Sequence, residues 1–140
     1  MKKSRYFDIR ELVPKSVYEK LGGSAWELLD RKAIDTLDFI KEKTGLPVIV
    51  NNWKWGGEDQ YRGYREKDCP IGAKWSAHKD GKAFDVTVKG WTDEQFEAWL
   101  KEHESELPYP IRIEQENTNT KVHIDTRIIS PESKITYFKP

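Results

Sequence analysis

Apolar residues at helical spacing run through the first third of the chain. Trp26, Leu29, Ala33, Leu37 and Ile40 fall on one stripe, and Ile34 widens it. Ser24, with Glu27 three residues later, reads as a capping box that starts this helix, and Gly45 reads as its stop. A shorter helix is predicted over residues 14–21, with Pro14 in its first turn and Gly22-Gly23 ending it. Beyond Gly45 the period changes. Residues 46–51 (LPVIVN) are apolar and β-branched, as in a buried strand, and residues 82–89 (KAFDVTVK) alternate as a second one. Thr92 caps a helix predicted over 93–104, with Phe96, Trp99 and Leu100 facing inward. Strands over 111–114, 121–125 and 135–138 complete a small sheet. Helices first, then mostly strands with one helix inserted, predicts an α+β domain rather than a doubly wound α/β fold.

Between these elements, residues 53–75 hold four glycines, one proline and many polar or aromatic positions. So long an irregular stretch inside a compact domain is usually functional or disordered. Trp53, Trp55, Tyr61 and Tyr64 argue for order, and the two tryptophans are expected to anchor the loop in the core. The chain has 140 residues, which suits a single domain over 1–140. Its 24 basic and 24 acidic residues cancel, which speaks against nucleic acid or a membrane surface as partner. A single cysteine, Cys69, leaves no intrachain disulfide and fits synthesis in a reducing cytoplasm. Cys69 is expected to be a small buried or half-exposed residue rather than a nucleophile. Two lysines open the chain, but no apolar run follows them, so neither a signal peptide nor a membrane span is expected.

Candidate chemistry lies in Ser76-Ala77-His78-Lys79-Asp80-Gly81-Lys82-Ala83-Phe84-Asp85. Asp80-Gly81 is a tight-turn signal of the type I′ kind, in which both central residues take positive φ. Such a turn brings His78 back towards the strand carrying Asp85. Along that strand Ala83, Asp85 and Thr87 share one face, while the apolar Phe84, Val86 and Val88 share the other. In Val122-His123-Ile124-Asp125 the same alternation buries Val122 and Ile124 and puts His123 and Asp125 together on the opposite face. Two histidines and a carboxylate, with a fourth position left to water, form a catalytic zinc arrangement. The bland alternative is two strand histidines without a metal. Of the three histidines in the chain, the remaining one, His103, is expected at a helix C-terminus beside Glu102 and Glu104.

The order Ser76-x-His78-x-x-Gly81-x-Ala83-x-Asp85, followed by His123-x-Asp125, resembles the D-alanyl-D-alanine carboxypeptidase family of zinc peptidases, which shares its fold with the hedgehog signalling domain. The Val122-His123-Ile124-Asp125-Thr126-Arg127 ending is similar to the branch with phage and bacterial murein peptidases. The resemblance spans Leu46 to Arg127. It implies a small, mainly antiparallel sheet packed against helices with a zinc cleft, and Zn2+ on His78, Asp85 and His123. Many members carry an acidic general base three residues before the last ligand, where this chain has Thr120. Asp125 and Glu114 are the candidate replacements, with Asp125 slightly preferred. The resemblance also makes Gly63-Tyr64-Arg65 a substrate-binding motif. Arg65 leads in holding a substrate carboxylate or carbonyl, and Arg62 is the alternative. Ser76 either contacts a ligand or satisfies its own turn.

The implied activity is hydrolysis of an amide in peptidoglycan stem peptides, by a carboxypeptidase or endopeptidase of endolysin type. The protein is expected to be a monomer that meets the wall after release if a bacteriophage encodes it. The rival is a binding or phage structural module that keeps zinc but has lost hydrolysis.

Overall fold

A computed structural model of the chain describes residues 3–72, 76–115, 120–127 and 133–139. It is mixed α+β, with three helices and a five-stranded sheet among the described residues. The helices are α1 (Lys15–Leu21), α2 (Arg31–Thr44) and α3 (Asp93–Glu102). The strands are β1 (Val48–Ile49), β2 (Ala83–Val88), β3 (Ile111–Glu114), β4 (Val122–Asp125) and β5 (Ile135–Phe138), in the spatial order β1-β2-β4-β3-β5. All pairings are antiparallel except that of β3 with β5.

The predicted periodicities account for this core. Ala33, Ile34, Leu37 and Ile40 on α2 are buried, as are Phe84, Val86, Ile113, Val122 and Ile124 on one face of the sheet, and they belong to one hydrophobic cluster. Helix α3 starts with the expected Thr92 cap, reinforced by Gln95 in a capping box, and contributes Phe96 and Leu100. None of the helices in the described residues is long and apolar enough to cross a membrane.

The start of the long helix differs from expectation. Ser24 and Glu27 lie inside a 3-10 segment, Gly22–Leu28, and α2 begins only at Arg31. Leu29 is extended, and the Asp30 backbone N–H donates to the Gly81 carbonyl at 2.9 Å instead of continuing a helix. A long-range backbone contact has won over a local capping signal. Trp26 and Leu29 remain buried, but as part of this broken segment. The tryptophans of the long loop also divide. Trp53 is half-buried and donates its indole N–H to the Val13 carbonyl at 2.9 Å, whereas Trp55 is 60% exposed and does not anchor the core. Residues 73–75 at the end of that predicted loop lie outside the described residues.

Candidate metal centre

The sheet's polar face is organised in rows. Asp85 on β2 is directly opposite His123 on β4, which is opposite Glu114 on β3, which pairs with Phe138 on β5. The next row holds Ala83, Asp125 and Arg112. Strand alternation therefore puts Asp85, His123, Glu114, Asp125 and Arg112 on the face away from Phe84, Ile113 and Ile124. Together with Arg65, these side chains line a cleft of about 400 Å3.

His78 reaches the row from a separate element. It sits on a 3-10 turn, Ala77–Asp80, whose N-cap is Ser76: the Ser76 hydroxyl accepts the His78 backbone N–H at 3.2 Å. Asp80 closes that turn, and only Gly81 takes positive φ, at 69°. The chain reverses as the sequence predicts, but by a 3-10 turn with a left-handed cap rather than a type I′ turn. Gly81 is demanded twice over, because a Cβ there would also collide with the Leu28 carbonyl.

Three donor atoms then converge. His78 Nε2 is 3.2 Å from His123 Nδ1 and 3.4 Å from Asp85 Oδ1, and His123 Nδ1 is 3.3 Å from Asp85 Oδ1. Each histidine is oriented from behind. His78 Nδ1 lies 2.9 Å from the Gly63 carbonyl, which only accepts, so Nδ1 carries the proton and Nε2 offers its lone pair. His123 Nε2 lies 2.9 Å from Asp125 Oδ2, so it is Nε2 that donates and Nδ1 that faces the cluster. Two imidazole lone pairs and a carboxylate oxygen thus point at one another. Such a set could hold a cation.

The separations also suit one. A tetrahedral ion with bonds of about 2.0–2.1 Å has ligand atoms about 3.3–3.4 Å apart. His78, Asp85 and His123 are all buried and form a group able to hold a metal ion. Without a metal, a proton on His123 Nδ1 takes the cation's place. Burial opposes a charged His123, yet its hydrogen bonds to Asp125 and Asp85 raise its pKa to about 9. Burial would also raise Asp85, but its contacts to His123 and His78 hold it far below the ordinary carboxylate range.

The surroundings sort the other expected residues. Asp125 is fully committed: Arg112 grips both its oxygens, at 2.7 and 2.8 Å, and Asp125 Oδ2 also accepts from His123. It lies behind His123, on the side away from Nδ1. Glu114 Oε2 lies on the donor side, 3.5 Å from His123 Nδ1. Of the two candidate bases, Glu114 is therefore the one whose carboxylate lies nearer the converging donor atoms. Arg65 donates to the Tyr61 carbonyl at 2.6 Å and lies 3.5 Å from Asp85 Oδ2. Arg62 does not line the cleft. Its guanidinium pairs with Asp59 at 3.5 Å, and only its carbonyl serves the site, accepting the Asp85 N–H at 2.7 Å. Thr120 is exposed, and its carbonyl accepts from the Thr87 hydroxyl.

No family profile, curated protein or solved structure matches the chain.

Three contributors were not foreseen. Arg112 holds Asp125 and stacks over the Phe138 ring at 4.0 Å. Lys121 reaches Asp85 Oδ2 at 3.3 Å. Gly63, noted only as part of a motif, brings its carbonyl to His78, and glycine is needed there because a Cβ would strike the Leu12 carbonyl. The alternation of Ile111-Arg112-Ile113-Glu114 was a usable signal for Arg112, since it shares a face with Glu114. Nothing local marked Lys121. His103 and Cys69 stand apart from the cluster: His103 caps α3, stacked on Trp99 at 4.2 Å, and Cys69 is buried.

Proposed function

We propose that this protein is a zinc-dependent peptidase of the hedgehog and DD-peptidase fold, acting on cell-wall-type peptides. The observation that carries the reading is the convergence of His78 Nε2, His123 Nδ1 and Asp85 Oδ1 at 3.2–3.4 Å from one another. These separations match the edges of a tetrahedral nitrogen and oxygen site with three protein ligands, the pattern of catalytic rather than structural zinc. Zinc held there supplies a Lewis acid that acidifies water and polarises a carbonyl.

The chain's own residues supply the rest. Glu114 accepts the proton of the attacking water and returns it to the departing amine, a role suited to a carboxylate on the donor side of His123. Arg65 donates to the oxygen on which charge develops. Asp125 and Arg112 keep His123 in one tautomer and orientation, and the Gly63 carbonyl does the same for His78. Phe138, edge-on to His123 at 5.7 Å, gives the cleft an apolar wall.

The rival, a zinc-holding binding module, drew its strength from the threonine at position 120. Glu114 weakens that ground, because a carboxylate reaches the site from β3. The test is digestion of purified peptidoglycan by the zinc-loaded protein, with mass spectrometry of the fragments. New amine and carboxyl ends within the stem peptide are expected. Intact peptides across several wall chemotypes, with zinc bound, would hand the case to the binding module.

A further inference from the structure

Strand β1 leaves the sheet early, and a different part of the chain fills the place it leaves. Ile49, its last residue, pairs with Thr87 on β2. The same register continued would set Asn51 opposite Asp85. Instead the Asp85 N–H donates to the Arg62 carbonyl at 2.7 Å, so the chain departs after β1 and returns to the same edge at a ligand position. The side chain of Asn51 closes this excursion. Its Oδ1 accepts the Arg62 N–H at 3.0 Å, and its Nδ2 donates to the Val13 carbonyl at 3.2 Å. Its own backbone N–H donates to the Glu11 carbonyl at 2.9 Å.

Asn51 is 0% exposed, so none of these groups has water to turn to. The side chain must offer an acceptor and a donor side by side. An amide has both, a carboxylate lacks the donor, and an aliphatic side chain supplies neither. The segment that Asn51 holds serves two members of the donor set. Beside Arg62, the Gly63 carbonyl lies 2.9 Å from His78 Nδ1. Tyr64 donates its N–H to the Leu12 carbonyl at 2.8 Å, and the Arg65 N–H donates to the His78 carbonyl at 3.1 Å. Residues 62–65 thus tie residues 11–13 to the backbone of Asp85 and to the ring and backbone of His78.

We propose that Asn51 is a positioning residue for the metal centre: by fixing residues 62–65 it sets where Asp85 and His78 stand. This rests on the metal reading of the cluster and not on peptide cleavage. Support of this kind is felt as metal affinity, because ligand side chains act from where their backbones are held.

The experiment measures amide hydrogen exchange and zinc affinity on the full chain for wild type, Asn51→Ala, Asn51→Asp and Leu100→Ala. The last truncates a fully buried side chain on α3 and serves as the control for stability. In metal-free Asn51→Ala the Asp85 and Tyr64 amides should exchange about tenfold faster than in wild type, relative to the amides of α3. Zinc should bind about tenfold more weakly, the low end of the cost of removing a support behind a ligand. Asn51→Asp keeps an oxygen for the Arg62 N–H and should recover part of both. Leu100→Ala should lose stability without either effect. Unchanged Asp85 exchange and zinc affinity in folded Asn51→Ala would overturn the proposal. Matching losses in Leu100→Ala would do so too, by making Asn51 a stability residue only. If Asn51→Ala does not fold, the wild type decides. Coupling is reciprocal, so zinc must slow exchange at Arg62 and Asp85 more than at Leu100, and a uniform slowing would overturn the proposal. A wild type that takes up no zinc, while Asp85 exchange still follows Asn51, would uphold the link between them and count against the metal reading.

Discussion

His123 lies directly across the sheet from Asp85, with its Nδ1 3.3 Å from Asp85 Oδ1, while its other ring nitrogen donates to Asp125. One histidine therefore joins the candidate metal-binding group to the carboxylate that orients its ring. The two carboxylates on either side of its ring have different duties, although both sit on the same sheet face.

The first consequence is metal content. Purified protein should hold one zinc per chain, measured by elemental analysis, and chelation should lower its melting temperature, because an ion bound only by the folded state stabilises it. His78→Ala and His123→Ala should each lose the metal. Full occupancy in either variant would refute the assigned ligand set.

Glu114 and Asp125 should separate cleanly. Glu114→Gln is expected to keep zinc and lose cleavage by about 10²–10⁴-fold, the usual worth of a general base. Asp125→Asn is expected to weaken zinc by about 10–100-fold, the usual cost of removing a partner behind a ligand histidine. Zinc titrations beside peptide-cleavage rates would distinguish them. Full activity in Glu114→Gln would return the role of base to Asp125.

Arg112→Met leaves Asp125, 1% exposed, as a buried carboxylate without its two-pronged partner. A loss of about 3–5 kcal/mol in denaturant unfolding is expected. Arg112→Lys should recover only part, since an ammonium cannot grip both oxygens in one plane. Equal stability of the lysine variant and the wild type would show that charge alone suffices.

Two glycines with similar φ should respond differently. Gly45, at φ 65°, has nothing within 4 Å of an added Cβ, so Gly45→Ala should cost about 1–2 kcal/mol from backbone strain alone. Gly81, at φ 69°, abuts the Leu28 carbonyl, so Gly81→Ala should cost more and should also weaken zinc by displacing the His78 turn. Matching losses at the two sites, with zinc unchanged, would contradict this.

Asp8 ties the amino-terminal segment down, accepting the Arg10 backbone N–H and pairing with the Arg10 guanidinium at 2.8 Å. Its hydrogen bond to the Arg10 side chain, working against burial, lowers its pKa from 3.8 to about 2. A lowered folded-state pKa means stability that is complete above 3.8 and is lost as pH falls through about 2. Asp8→Ala should therefore cost about 1 kcal/mol at neutral pH, as loss of a cap does. Its deficit against wild type should shrink between pH 4 and 2. A deficit constant with pH would point to packing instead.

Much of the site was legible because strand alternation is a local property. Two alternating segments, Ala83-Phe84-Asp85-Val86 and Val122-His123-Ile124-Asp125, announce which side chains share a face, whatever the sheet order. The glycine after Asp80 announced a reversal, since few residues but glycine accept its backbone angle. For the same reason the core positions of α2 and α3 could be read from spacing, and the α+β class from the order of elements.

What the pattern could not reveal was the pairing of strands and everything that depends on it. That Glu114 stands beside His123 follows from the register of β3 on β4, and that register depends on contacts distant in sequence. Neither the Arg112 grip on Asp125 nor the Lys121 approach to Asp85 has a local signature, because partners 13 and 36 residues away are joined only by folding. The start of α2 shows the same limit. Ser24 and Glu27 offer a good cap, but the Gly81 carbonyl, 51 residues beyond Asp30, takes the Asp30 N–H and ends the competition. Periodicity reports which face a residue occupies; only the assembled chain decides which neighbours meet it there.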